Sequence, residues 1–228
     1  MQVLDQVGLC IDCWGNIKFI SNPICDVTGT PLPFNALAEG TEAALSLEAL
    51  HNPPEYIKAR IAVKFDDNSR KLIHKLKYQD QHHIAPQMAK MMVRAATDLL
   101  EDVDNSIICP VPLHHWRYVT RRFNQADLLA KEISKLSGID YAPKLIKRKL
   151  STKTQVGLTR KERQSNVRNA FTITEKFKET AKNKAIILVD DVITTGATVD
   201  EIAKNLTKAG LGPVYIMAFA KVIRTKVI

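Results

Sequence analysis

Residues 187–198 read ILVDDVITTGAT: three apolar side chains end in two adjacent carboxylates, Asp190 and Asp191, and a run of threonine, glycine and alanine follows. A buried strand that turns directly into a helix leaves the helix's first amide N–H groups without partners, which makes the turn an anion site. Gly196 lets the backbone approach a ligand closely, Ala197 adds no bulk, and Thr194, Thr195 and Thr198 place hydroxyl donors around the same point. That combination suits a phosphate monoester. Two carboxylates would repel a phosphate, but they accept hydrogen bonds from a vicinal diol or help hold a divalent cation. A phosphate on one side and two hydroxyls on the other describe a ribose 5-phosphate. The plainer alternative is that the aspartates cap the next helix and TTGA is an ordinary turn. The legible strand before and helix after favour a ligand site. Neither the G-x-x-x-x-G-K-[ST] phosphate loop nor a G-x-G-x-x-G dinucleotide fingerprint is present.

The elements that must position these residues alternate. From Tyr56 the apolar residues Ile57, Ala59, Ile61, Val63 and Phe65 interleave with polar ones, the pattern of a half-buried strand. Asp67, Asn68 and Ser69 offer caps for a short helix, RKLIHKLKY, and a longer helix is expected from about Pro86 to Leu100. SIICPVP reads as an apolar strand stopped by prolines, followed by a basic loop and a helix from about Gln125 to Leu136 closed by Gly138. The order recurs at AIILVDD, its loop, and a helix over 198–209 ended by Gly210, before a last strand, VYIMAFAKV. Strands apolar throughout, alternating with amphipathic helices, predict an α/β fold with a parallel sheet covered on both faces and ligands at the carboxyl ends of the strands.

Charge adds a partner class. The 228 residues carry a formal charge of +9, which predicts attraction to phosphates. Residues 144–168 hold nine Lys or Arg against one acid, Glu162. No stretch of 18 apolar residues occurs, and MQVLDQVGLCIDCWGN lacks a signal-peptide layout, so a cytoplasmic protein without a membrane partner is expected. Three of the four cysteines, Cys10, Cys13 and Cys25, cluster near the N-terminus, which suggests metal ligation or its remnant. Cys109 stands apart as a core residue. The chain divides into a small cysteine-containing module (1–35), a linker (36–54) and a main domain (55–228).

ILVDDVITTGAT resembles the phosphoribosyl pyrophosphate (PRPP) signature of type I phosphoribosyltransferases. CPVPLHHWRYVTRRFNQADLLA, TQVGLTRKERQSNVRNAF and the DDVITTGAT region follow the order of the ComF-like family, named for competence in DNA uptake, and LIHKLKY resembles a shorter element of it. The resemblance implies a type I phosphoribosyltransferase-like parallel sheet flanked by helices, with a small N-terminal module. Asp190 and Asp191 would bind the ribose 2- and 3-hydroxyls, Thr194 to Thr198 the 5-phosphate, and the loop after SIICPVP would lie near the pyrophosphate. Arg117, Arg121 and Arg122 are natural partners for that charge, since guanidinium groups bind phosphate oxygens bidentately. The polar, basic segment 150–170 would be a lid, with Gln155, Arg160, Arg163 and Asn166 at the family's polar positions, or else 159–168 is a solvated helix without ligand contact. Lys77 matches a family position without a derivable role.

The catalytic set expected is therefore Asp190, Asp191, Arg160 and Arg163, acting on PRPP with Mg²⁺ to transfer its phosphoribosyl group to an acceptor the sequence does not identify. The alternatives are a non-catalytic PRPP or nucleotide sensor, and a nucleic-acid-binding accessory factor in DNA uptake that would use the basic segment, Trp14 and Trp116 on single strands. A homodimer is a further expectation. Cys10-x-x-Cys13 and Cys25-x-x-Thr28 resemble a four-cysteine zinc knuckle whose last ligand has become threonine. Two readings stay open: zinc completed by Asp26 or His51, and three thiols of a degenerate module.

Overall fold

The computed structural model describes residues 15–33, 44–78, 82–113, 123–149 and 170–223. Five strands, β1 (Lys58–Lys64), β2 (Ser106–Pro110), β3 (Asp140–Tyr141), β6 (Ala185–Ile193) and β7 (Val214–Lys221), form one parallel sheet in the order β1-β7-β6-β2-β3. The expected parallel sheet flanked by helices is present. Alternate residues of β6 feed two cores: Ile187 and Val189 pack on one face with Leu129, Ala130 and Ile133, and Ile186 and Leu188 on the other with Val199, Ile202 and Leu206. A central strand buried on both faces has no polar side, which is why it reads as a continuous apolar run.

Seven α-helices occur among the described residues: α1 (Leu47–His51), α2 (Asp67–Tyr78), α3 (Ala85–Ala95), α4 (Thr97–Asp102), α5 (Gln125–Ser137), α6 (Glu175–Ala181) and α7 (Ala197–Lys208). Helix α5 ends where expected, with Gly138 at φ 75°. The single helix expected over 86–100 is two, broken at Ala96, whose N–H bonds back to Val93. Helix α2 takes in its expected caps, and the residue that caps it is Asp66, one position before them: Asp66 Oδ1 accepts from the Ser69 N–H at 2.9 Å while Ser69 Oγ accepts from the Asp66 N–H at 2.8 Å. This is a reciprocal capping box. A separate antiparallel ribbon, β4 (Ile146–Arg148) with β5 (Phe171–Ile173), was not foreseen, since three-residue strands are too short for periodicity to reveal.

Strand β1 corrects the half-buried expectation, because both its faces are covered and Arg60 is only 5% exposed. A buried guanidinium needs partners. Its Nε donates to both carboxylate oxygens of Asp98 (2.9 and 3.0 Å), and its Nη1 to the carbonyls of Asp26 and Ala59. Burial opposes ionisation of Asp98, but the hydrogen bonds and charge of Arg60, with Lys58 adding, outweigh it and hold that carboxyl below its ordinary value. A lowered acid stabilises the fold fully above the unfolded value, and the contribution is lost as pH falls through the folded one. Urea unfolding should therefore show stability falling from about pH 4 downward. Asp98→Asn should lower stability at neutral pH and flatten that acid-side slope; an unchanged slope would remove this pair from the account.

The described part of the N-terminal segment is tied to β1. Ile20 N–H donates to Ala62 O, Lys64 N–H to Lys18 O, and Ala59 N–H to Val27 O. These contacts cover a sheet edge that would otherwise present unpaired backbone groups. Residues 44–46, inside the expected linker, pair with this segment: Asp26 N–H donates to Ala44 O, and Ser46 N–H to Cys25 Sγ at 3.2 Å.

Candidate functional site at the carboxyl ends of β2 and β6

Strands β2 and β6 are neighbours, with Pro110 beside Val189. From β2 the chain runs through α5 to β3, and from β6 it runs through α7 to β7 in the opposite direction along the sheet. The two helices lie on opposite faces, so a crevice opens between their N-termini, at the topological switch point where α/β sheets bind ligands. A cavity of about 180 Å³ occupies it, walled by 111–113 and 124–126 on the β2 side, by 190–194 and 196–199 on the β6 side, and by Arg148.

The β6 side is built by its backbone. Gly196 sits at φ 76° as the N-cap of α7, a left-handed conformation that costs a side-chain-bearing residue about 1–2 kcal/mol. A Cβ there would meet nothing within 4 Å, so the glycine serves the turn and leaves the space above it open. Helix α7 starts without a side-chain cap from that residue. Asp190 and Asp191, both half-buried, stand at the end of β6, and Asp190 Oδ1 accepts from the Asp191 N–H at 2.8 Å.

On the β2 side, Asn124 closes the loop that precedes α5. Its Oδ1 accepts from the Ala126 N–H at 3.2 Å and its Nδ2 donates to Val111 O at 3.0 Å. Arg148 enters the cavity wall from the ribbon, with its guanidinium 5.3 Å from the centre of the Phe171 ring, a stacking that restrains a long side chain. The site thus combines two carboxylates, two helix N-termini and one permanent cation.

Of the expected site residues, Asp190, Asp191, Thr194, Gly196, Ala197 and Thr198 line the cavity together. Thr195 lies in the same turn, where its Oγ1 accepts from the Ala197 N–H at 3.5 Å. Arg117, Arg121, Arg122, Gln155, Arg160, Arg163 and Asn166 fall outside the described residues, as do Cys10, Cys13, Trp14 and Trp116. Sequence reasoning missed Asn124, Gln125 and Arg148. The signal for Arg148 was only its membership of the basic run, and its place in the cavity depends on a ribbon that closes over a separation of more than twenty residues.

Cys25 is fully buried. Burial raises its thiol pKa, yet hydrogen bonds from the hydroxyls and backbone N–H groups of Ser46 and Thr28 outweigh this and bring it below the ordinary value. Thr28, in the fourth place of the expected knuckle, shares hydrogen bonds with Thr30 (3.0 Å) and Ser46 (3.4 Å) through its hydroxyl. Asp26 Oδ2 accepts from the Ala44 N–H, and the His51 ring bonds the Leu47 carbonyl. Among the described residues no group of three or more metal-ligating side chains assembles, so a zinc site would depend on residues outside them. Cys109 is fully buried as expected, and burial pushes its thiol up to about 12.

A strand carrying an acidic pair into a glycine turn and helix, set at the switch point of a five-stranded parallel sheet, makes this a doubly wound α/β protein with its candidate site where such sheets bind ligands. The chain belongs to the competence protein F family. It is 34% identical over 217 residues to competence protein F of Haemophilus influenzae, covering 94% of this chain and 90% of that one. It is 26% identical over 223 residues to DNA utilization protein YhgH of Escherichia coli, covering 96% and 93%. Among solved structures, a hypoxanthine phosphoribosyltransferase from Staphylococcus aureus aligns over 64% of this chain and 71% of its own, at 14% identity and a TM-score of 0.35. No family model matches the chain. Among the described residues no helix is long and apolar enough to cross a membrane.

Proposed function

We propose that the crevice binds PRPP and that the protein transfers its phosphoribosyl group to an acceptor. The observation that carries this reading is the meeting of the Asp190–Asp191 pair and the open Gly196 turn in one cavity at the switch point. On this reading the turn and the N-terminus of α7 hold the 5-phosphate, and the carboxylates grip the ribose diol. The bond from C1 to the pyrophosphate oxygen breaks with its electron pair on oxygen, while the acceptor's lone pair forms the new bond to C1 and the acceptor gives up a proton. Magnesium suits the same all-oxygen donors and supplies charge neutralisation at the pyrophosphate. Arg148 adds fixed positive charge near the departing group.

Calorimetric titration of PRPP with Mg²⁺, followed by a pyrophosphate-release assay over a panel of acceptors, tests the proposal. Saturable binding and release with at least one acceptor are expected. Binding without release across a broad panel would sink transfer and favour a PRPP sensor; no binding would sink both.

The relatives' names, competence protein F and DNA utilization protein, together with the +9 charge, favour a second reading, in which the chain serves DNA uptake and contacts single-stranded DNA. Affinity that falls steeply with salt would support it.

A further inference from the structure

Gln125 is the first residue of α5, a helix of 13 residues whose N-terminus forms one wall of the crevice. It is 1% exposed, and its carboxamide Nε2 has no hydrogen-bond partner among the described residues. A buried donor without an acceptor destabilises a fold, and an apolar residue of the same length would pack there without that cost. The neighbouring Asn124 already caps the helix, so Gln125 is not needed for that. A second group belonging to something that enters the cavity is the acceptor its position calls for.

We infer that Gln125 is a positioning residue that donates a hydrogen bond to an anionic oxygen of the ligand, on the side of the crevice away from Gly196. The inference rests on the PRPP reading and assigns Gln125 to the diphosphate end of that ligand. The chemistry on the two sides differs. Asp190 and Asp191 accept hydrogen bonds and suit hydroxyls, whereas Gln125 is a donor at a helix N-terminus in a cavity that Arg148 also lines, which selects an acceptor bearing negative charge. Ribose 5-phosphate, which lacks the diphosphate, should not engage it.

Calorimetry with Mg²⁺–PRPP and with ribose 5-phosphate on the wild-type chain, Gln125→Met and Gln125→Glu separates the outcomes, alongside thermal unfolding of each ligand-free protein. Gln125→Met should bind PRPP about tenfold more weakly or worse. Its affinity for ribose 5-phosphate should be unchanged, and its melting temperature equal to or above wild type. Gln125→Glu should lose more PRPP affinity, since a carboxylate repels the diphosphate. Equal PRPP affinity of wild type and Gln125→Met would overturn this inference alone. So would a Gln125→Met protein that melts earlier and loses both ligands equally, the mark of a purely structural residue. A wild-type chain that binds neither ligand would bring down the PRPP reading and this inference together.

Discussion

Asp190→Asn/Asp191→Asn should weaken PRPP binding by about 100-fold or more while leaving the unfolding transition close to wild type. Each carboxylate that grips a hydroxyl makes a charge-assisted hydrogen bond of about 1.5–3 kcal/mol, so the loss of two charges compounds. Both residues are half-buried at the end of β6, and asparagine matches aspartate in size, so the substitutions leave the packing there intact. The bond from the Asp191 N–H to Asp190 Oδ1 survives in asparagine, which keeps a carbonyl acceptor. Calorimetry and urea unfolding on the same preparation read both effects. Undiminished affinity would show that the pair does not hold the diol, and the ribose assignment would fall.

The largest effect on stability is expected from Gly29→Ala. Gly29 has φ +60°, and a Cβ there would lie 2.6 Å from the Ala59 carbonyl oxygen and 2.7 Å from Ile61 Cδ1. The left-handed backbone alone costs alanine about 1–2 kcal/mol, and the overlap with a strand carbonyl that has little room to move brings the total to about 3 kcal/mol or more. Gly29 lies where the N-terminal segment crosses β1, next to Thr28, whose carbonyl accepts from the buried Lys221 Nζ at 3.0 Å. The substitution therefore acts on the docking of that segment, far along the chain from the crevice. Equilibrium urea unfolding measures it, and a change within about 0.5 kcal/mol would contradict the close approach.

These two glycines mark different limits of legibility. Gly196 announced itself because its neighbours in sequence are also its neighbours in the site: strand, turn and helix are one continuous stretch, and the local rules for each apply directly. Gly29 gave no such sign, since the atoms that forbid a side chain there belong to a strand thirty residues on. Arg60 shows the same contrast. Its alternation with apolar residues placed it on a solvent face, but Asp98, on a helix distant in sequence, closes over it and makes burial tolerable. The split of 85–102 into two helices at Ala96 also lacked a local signal, as no proline or glycine stands there.

What the chain determined by itself is the order of the four longest strands, β1, β2, β6 and β7, with helices α2, α3, α5 and α7, the apolar central strand, and the acidic pair leading into a glycine turn, because each depends on side chains a few positions apart. Tertiary structure alone decided that β2 lies beside β6, that the two outgoing helices leave on opposite faces, and that Gln125 and Arg148 enter the same cavity as Asp190. Those facts depend on which strands pair, and pairing is settled by burial of the whole sheet on both faces, a sum over contacts that no single stretch of residues contains.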